Sequence, residues 1–197
     1  MAREKERDRG QSLGRFADPT QNLRTAKSFL ADLIEEQARG FGARPERLKR
    51  YFGACINAAN GAIEARKNQV GRKKFRDLDD DWRQSVQDAD ALALFDRLHD
   101  LRIEDFHYGV LHAPVGQKWV NAQWLPSLSV FSSPGAFVEK TNPSGETLRG
   151  AALASVPTLY VEYEGGQLEA TEACRRFIAL IENLVARALP SVGGITA

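Results

Sequence analysis

The sequence is poor in cysteine and has no long apolar run, and each shortage excludes a class of protein. Two cysteines, Cys55 and Cys174, are too few for a disulfide framework. Each falls on the apolar stripe of a predicted helix, which favours free thiols in a reducing compartment. No apolar run approaches the ~20 residues of a membrane span, and the first residues lack the apolar core of a signal peptide. We therefore expect a cytoplasmic protein with no membrane association.

An excess of charge of either sign is also missing. The formal net charge is +1, from 27 Lys and Arg against 26 Asp and Glu, so any contact with nucleic acid has to be local. The chain contains no Walker-type phosphate loop, dinucleotide fingerprint or nucleophile elbow. His99, His107 and His112 do not stand at recognised ligand spacings from one another or from acids. We expect no metal and no cofactor.

The apolar residues that are present predict one mainly helical domain. Hydrophobic residues make up 43% of 197, enough for a single core. Residues 1–17 are expected to form a disordered charged tail and 191–197 a flexible one, which leaves a domain at 18–190. Apolar residues three and four apart predict four long helices. They run from Pro19 to Gly40, from Pro45 to about Arg66, from Trp82 to His107, and from Leu168 to Pro190.

The stretch from about 108 to 166 has a different pattern. Its prolines and glycines are incompatible with a long helix. Short strands are predicted instead, with a turn at Asn142-Pro143-Ser144-Gly145. The strands are Lys118 to Trp124, Leu128 to Phe131, Ala136 to Lys140, and Thr158 to Glu164. The predicted fold class is therefore mainly α (α+β), a four-helix bundle with a small antiparallel β insertion between the third and last long helices.

The third predicted helix places a charged side chain among apolar ones. On a helical wheel, Arg102 falls in the middle of an apolar arc of about 200°, with His99 beside it and His107 at its edge. A guanidinium keeps its charge at any accessible pH, so its burial needs a carboxylate, backbone carbonyls, a subunit interface or a ligand. Two plainer interpretations stay open: Arg102 pairs with a buried acid, or its head reaches solvent along an apolar stem.

Arg102 and His107 are separated by four residues at the end of this helix, just before Gly109. The arrangement resembles the HEPN superfamily, whose signature is an Arg followed four to six residues later by a His. Active members usually carry a polar residue directly after the Arg, where this chain has Ile103. The resemblance implies a helical bundle that dimerises with its motifs facing each other across a cleft. It also implies metal-independent RNA cleavage of toxin or defence type, with a cognate antitoxin or regulatory protein as partner.

A mechanism follows from the chemistry of such a pair. His107 would serve as general acid or base, and Arg102 would bind the phosphate. Glu104 or Asp105 would orient an imidazole or pair with Arg102, and His99 is a further supporting residue. A core histidine bonded to a backbone carbonyl is the alternative interpretation of His99. Arg102 and His107 lie about 140° apart on a regular helix, so two copies must face each other, and we expect a homodimer.

A basic run from Arg66 to Arg76, between the second and third predicted helices, is the candidate RNA-binding segment. It carries Phe75 and is followed at once by several aspartates. Cations around an aromatic ring can hold phosphates and stack a base. A solvated charged face, neutralised by the neighbouring acids, is the alternative. The candidate RNA-binding residues are Arg72, Lys73, Lys74 and Arg76.

Two other functional classes remain open. The chain would be a non-catalytic dimerisation or partner-binding module if Arg102 belonged to a buried ion pair. It would be a small-molecule binding protein if a pocket lay between the sheet and the bundle, since Trp82, Trp119 and Trp124 have no assigned role.

Overall fold

A computed structural model describes residues 18–108, 113–121, 138–143, 145–150 and 153–187. The predicted α+β class is confirmed, because the described residues are mainly helical with a small antiparallel sheet. Five α-helices occur in these ranges, where four were expected. They are α1 (Pro19–Ala38), α2 (Pro45–Val70), α3 (Arg72–Ser85), α4 (Ala89–Tyr108) and α5 (Ala170–Arg187). The two terminal tails expected at 1–17 and 191–197 lie outside the described residues.

Local signals set the first helix as predicted. Asp18 is the N-cap of α1, and its Oδ1 accepts a hydrogen bond from the Thr20 N–H at 2.8 Å. Pro19 follows in the first turn, where its missing N–H is not needed. A short 3-10 turn, Gly40–Gly42, then leads towards α2. No helix in the described part of the chain is both long and apolar enough to cross a membrane.

The core lies where α2, α4 and α5 meet. Its fully buried side chains include Phe52, Ile56, Leu98, Phe177 and Ile181. Each such side chain stabilises the fold by roughly 1.5–3 kcal/mol relative to an exposed one. Cys55 and Cys174 are free thiols buried in the same core, as predicted. Burial and the neighbouring Cys55 raise the pKa of the Cys174 thiol.

The third predicted helix is not one helix: its residues belong to α3 and α4. α2 continues past Arg66 to Val70, where Gly71, at φ +89°, ends it. The expected start of the third helix, Trp82, lies inside α3 and is fully buried. α4 starts only after Asp88, whose Oδ1 accepts a hydrogen bond from the Ala91 N–H at 3.1 Å. The last part of the basic run, from Arg72 to Arg76, therefore opens a separate helix, and the part before Gly71 belongs to α2.

The β insertion is confirmed, with strands β1 (Val115–Asn121), β2 (Val138–Thr141), β3 (Thr147–Gly150), β4 (Leu153–Tyr163) and β5 (Gly166–Glu169). β1, β4 and β5 form one antiparallel sheet, and β2 and β3 a hairpin. The hairpin turn is the predicted one, since the Gly145 N–H donates to the Asn142 carbonyl at 2.8 Å. Leu168 and Glu169 belong to β5, so the final helix begins later than expected. The strand expected at Leu128 to Phe131 lies outside the described residues.

Two side-chain amides tie the insertion together and to the helices. The buried Asn142 accepts a hydrogen bond from the Trp119 N–H at 2.6 Å and donates to the Trp119 carbonyl at 3.2 Å. Gln37, at the end of α1, donates to the Pro157 carbonyl at 3.0 Å and to Thr158 Oγ1 at 2.8 Å. The hairpin is thereby attached to β1, and β4 to α1.

Candidate functional site

Arg102 is half-buried on α4, so the prediction that it sits on the buried face is only partly right. α4 buries the narrower stripe of Leu94, Leu98 and Leu101, and Arg102 lies at the edge of that stripe. Among the described residues, no acidic side chain forms a salt bridge with Arg102. Ile103 beside it is 39% exposed.

The other predicted catalytic residues stand near the end of α4. α4 continues through His107 to Tyr108. The side chains of Glu104, Asp105 and His107 lie outside the described residues, as does His112. Their predicted roles therefore stay predictions.

Among the described residues, His99 is bonded to a side chain and not to the backbone carbonyl of the alternative interpretation. Its Nδ1 lies 2.7 Å from Oδ1 of Asn60 on α2. Asn60 is 1% exposed, and its Nδ2 donates to the Ile56 carbonyl at 2.9 Å. Because that bond fixes which end of the amide faces the imidazole, Nδ1 of His99 carries the hydrogen in the neutral ring.

The surroundings keep the imidazole neutral. Burial lowers the pKa of His99 below its ordinary value of 6.5, and the nearby Arg102 lowers it further. Asp100, Glu64 and Asp96 act in the opposite direction but do not outweigh these causes. At neutral pH His99 is therefore an uncharged group whose Nε2 lone pair can accept a proton.

His99 lines a cleft of about 390 Å³ between α2, α3 and α4, which we call the basic cleft. Apolar walls come from Ile63, Phe75, Phe95 and Leu184. Four basic side chains line it against two acidic ones, namely Lys67, Arg72, Arg76 and Arg83 against Glu64 and Asp79.

Two of the four basic side chains form ion pairs with acidic side chains, and in the described part of the chain the other two do not. Lys67 Nζ lies 3.3 Å from Glu64 Oε1. Arg83 bonds Asp79 at 3.2 Å and Asp96 at 2.8 Å, and these acids raise its pKa. Within the described ranges, neither Arg72 nor Arg76 has an ion pair or a side-chain hydrogen bond, and both are exposed. Their guanidinium groups are therefore free to bind an anion.

The charges along α3 run against its helix dipole. Arg72, Lys73 and Lys74 stand in the first turn, which contains no acid, while the aspartates come later in the helix. The N-terminal end of a helix carries partial positive charge, so this order is unfavourable without an anion nearby. Lys73 and Lys74 are exposed but do not line the basic cleft. Phe75 is only 6% exposed and belongs to the core cluster, and it also forms part of the wall of the basic cleft.

The structure thus joins two sets of predicted residues. Arg72 and Arg76 of the predicted RNA-binding group and His99 of the catalytic group line one cleft. Asn60 was missed, because a buried Asn in an apolar helix has no pattern of its own. Lys67 and Arg83 were also outside the predicted site, although Lys67 belongs to the basic run.

A second concavity tests the small-molecule alternative. A groove of about 350 Å³, here called the sheet groove, lies where α1 and α5 meet β1 and β4, lined by Ile34, Ala38, Val120 and Val156. Its position between sheet and helices is the expected one. Of the tryptophans that the structure describes, neither lines it. Trp82 is buried and donates to Asn183 Oδ1 at 3.1 Å, and the centroid of the Trp119 ring lies 4.9 Å from Lys140 Nζ. Trp124 is outside the described residues.

With this geometry established, the chain was compared with known proteins. No protein-family model, curated protein or solved structure matches it. Within the described ranges, no three His, Cys, Asp or Glu side chains are grouped as metal ligands would be. The basic cleft and the motif on α4 are therefore the features from which a function can be argued.

Proposed function

We propose that this chain is a HEPN-like, metal-independent endoribonuclease of toxin or defence type that binds RNA in the basic cleft. The observation that carries the proposal is a pair of exposed guanidinium groups, Arg72 and Arg76, on the wall of a cleft that also holds the neutral His99. Neither group has an ion-pair partner in the part of the chain that the structure describes. Such groups bind phosphate oxygens bidentately. The reversed charge order of α3 supports the same conclusion, since a bound phosphate would relieve it.

Arg102 and His107 supply the chemistry in this proposal. Cleavage by the RNA's own 2′-hydroxyl needs proton transfer and a cation at the phosphate, and neither requires a metal. Arg102 stabilises the phosphate charge and His107 transfers a proton.

A homodimer completes the proposed site. Positions 102 and 107 are about 140° apart around a regular helix, so the proposal requires two copies of α4 to approach each other. Ile103, at 39% exposure beside Arg102, gives α4 an apolar contact for that approach. A cognate antitoxin or regulatory protein would bind the same dimer in the cell.

Cleavage of a mixed RNA substrate in EDTA tests the activity. The parent is compared with Arg102→Ala and His107→Ala, each confirmed as folded and of the parent's oligomeric state. We expect the parent to cleave and both variants to lose about 100-fold or more of the rate. A parent that leaves the RNA intact would refute the nuclease and shift the weight to the partner-binding module.

RNA binding is tested separately with variants matched in charge. Arg72→Gln/Arg76→Gln removes two cations from the basic cleft, and Lys73→Gln/Lys74→Gln removes two from the same helix outside it. We expect the arginine pair to weaken RNA binding about tenfold or more and to reduce its salt dependence, with a much smaller effect for the lysine pair. Equal losses would show that only general charge attracts the RNA.

The sheet groove favours one other function, that of a small-molecule binding protein. Its apolar lining and volume suit part of an organic ligand, and its charged neighbours Lys118 and Arg175 are paired with Glu169 and Glu172. A fluorescent apolar probe that binds the parent and is lost in Val156→Asp would support this alternative.

A further inference from the structure

We infer that His99, oriented by Asn60, is the general base that takes the proton from the RNA 2′-hydroxyl in the basic cleft. The inference rests on the proposed ribonuclease function and adds to it a residue outside the Arg102–His107 motif. It assigns the two proton transfers of the reaction to two different positions of the chain, of which the motif contains only His107.

The orientation of the ring carries the argument. Asn60 is held by its own helix through the bond from Nδ2 to the Ile56 carbonyl, so its Oδ1 is a fixed acceptor for the Nδ1–H of His99. The proton is thereby confined to Nδ1, and Nε2 keeps its lone pair. Within the described ranges no side chain bonds Nε2, and His99 lines the cleft. A base fixed in one tautomer by a third group is the arrangement found in nucleophilic triads.

The reaction step balances with the groups named. Nε2 of His99 accepts the 2′-hydroxyl proton as O2′ attacks the phosphorus, and the bond from phosphorus to the 5′-oxygen breaks. The products are a 2′,3′-cyclic phosphate and a 5′-hydroxyl. The leaving oxygen takes its proton from the general acid, the role that remains for His107. Arg72 and Arg76 bind the RNA phosphates in the cleft, and Arg102 keeps its proposed role at the charge of the reacting phosphate.

The distance between the two histidines decides how they cooperate. His99 and His107 are eight residues apart on α4, which places them about 12 Å apart along the helix axis. This separation favours a site shared by two copies over a site within a single chain. In the proposed dimer, the base therefore comes from one copy and the acid from the other.

The charged groups around His99 set the pH at which it can act. Arg102 on α4 lowers its pKa, while Asp96 and Asp100 on α4 and Glu64 on α2 raise it. Arg72 and Arg76 of α3 add positive charge across the cleft. Since burial and Arg102 dominate, the free base is available at neutral pH, where it has to act.

The variant His99→Asn tests the assignment. Its amide can still donate to Asn60 Oδ1 but has no group that accepts a proton. We expect kcat to fall about 100-fold or more while KM for RNA stays within about threefold, because the basic cations remain. A thermal-shift comparison should show that the variant is close to the parent in stability.

Asn60→Asp gives a readout that a purely structural role would not move. A carboxylate beside Nδ1 favours the imidazolium, so the acidic limb of the kcat profile should move up by about one pH unit or more. An unmoved limb, or a His99→Asn variant as active as a parent that cleaves RNA, overturns this inference alone. A parent that does not cleave RNA overturns the proposed function together with it.

Discussion

Both polar atoms of the buried Asn60 amide form hydrogen bonds. One end bonds its own helix at the Ile56 carbonyl, and the other bonds His99 on α4. A buried amide with a missing partner would destabilise the protein by about 1–3 kcal/mol, so this pair holds α2 and α4 in one register. The same bonds fix the imidazole.

The titration of His99 makes stability depend on pH. Burial and Arg102 lower its pKa from 6.5 in the folded chain, so the unfolded chain binds a proton that the folded chain does not. Above the pKa of the unfolded histidine, about 6.5, this proton does not affect stability. As the pH falls below that pKa, the unfolded chain is protonated first and the folded chain loses stability.

We therefore expect the parent to lose more free energy of unfolding than His99→Asn between about pH 7 and about pH 5. Urea unfolding at each pH measures the difference, and parallel losses in the two proteins would contradict it.

Trp82 has a structural role that its sequence context did not reveal. Its ring is fully buried, lies 5.0 Å from the Phe95 ring and donates to Asn183. Trp82→Ala should lower the free energy of unfolding by about 3–5 kcal/mol, because it leaves a large cavity.

Trp82→Phe is the matched control. It keeps an aromatic ring and loses the hydrogen bond to the exposed Asn183, so it should cost about 1–2 kcal/mol. Chemical denaturation of the two variants beside the parent gives both values. Similar losses would place the main contribution in the hydrogen bond.

At the scale of elements, α3 shows a conflict between stability and the proposed function. Its first turn is basic, although acidic residues are favoured at that end of a helix. Such conflicts are expected at functional sites.

Lys73→Glu should therefore stabilise the protein by about 0.3–1 kcal/mol, since it places a negative charge in the first turn. The thermal midpoint at low salt measures the gain, which should shrink as salt is added. Lys73→Gln, which only removes the positive charge, should give a smaller gain. A decrease in stability would show that Lys73 has a favourable interaction that the exposed position does not suggest.

The helices with clear apolar periodicity were predicted from the sequence, as was β4 from its alternation. α3 was not separated from α4, because Val86, Gln87 and Asp88 interrupt the helix without a glycine or proline. A local signal that could have marked the break is Asp88, whose Oδ1 accepts a hydrogen bond from the Ala91 N–H at the start of α4. Likewise β5 could not be told from the start of α5, since Leu168 and Glu169 suit either structure.

The site divides in the same way. Arg72 and Arg76 could be named from a local run of charge, and His99 from its place on a wheel. Their meeting in one cleft could not, nor could the bond between His99 and Asn60, which are 39 residues apart. Contacts at such separations depend on how helices pack, and no local pattern encodes them.

At the scale of the whole molecule, the proposed dimer makes a prediction about mixed subunits. If the base and the acid come from different copies, a dimer of His99→Asn with His107→Ala contains one intact site and one doubly altered site. Two nearly inactive variants should then recover about a quarter of the parent activity after random subunit exchange.

Cleavage assays on the mixed and separate variants measure this recovery. A mixture no more active than its components, with exchange confirmed by mass, would place both histidines of each site in one chain or remove one of them from catalysis.

The reactivity of the two buried thiols reports how often the core opens. Cys55 and Cys174 are the chain's only cysteines, and the fold leaves neither accessible. A thiol-reactive label can then react only when the core around α2 and α5 opens, so the labelling rate follows the population of open molecules. The mass of the labelled protein then ranks the variants named above by how often their cores open, with no added tag.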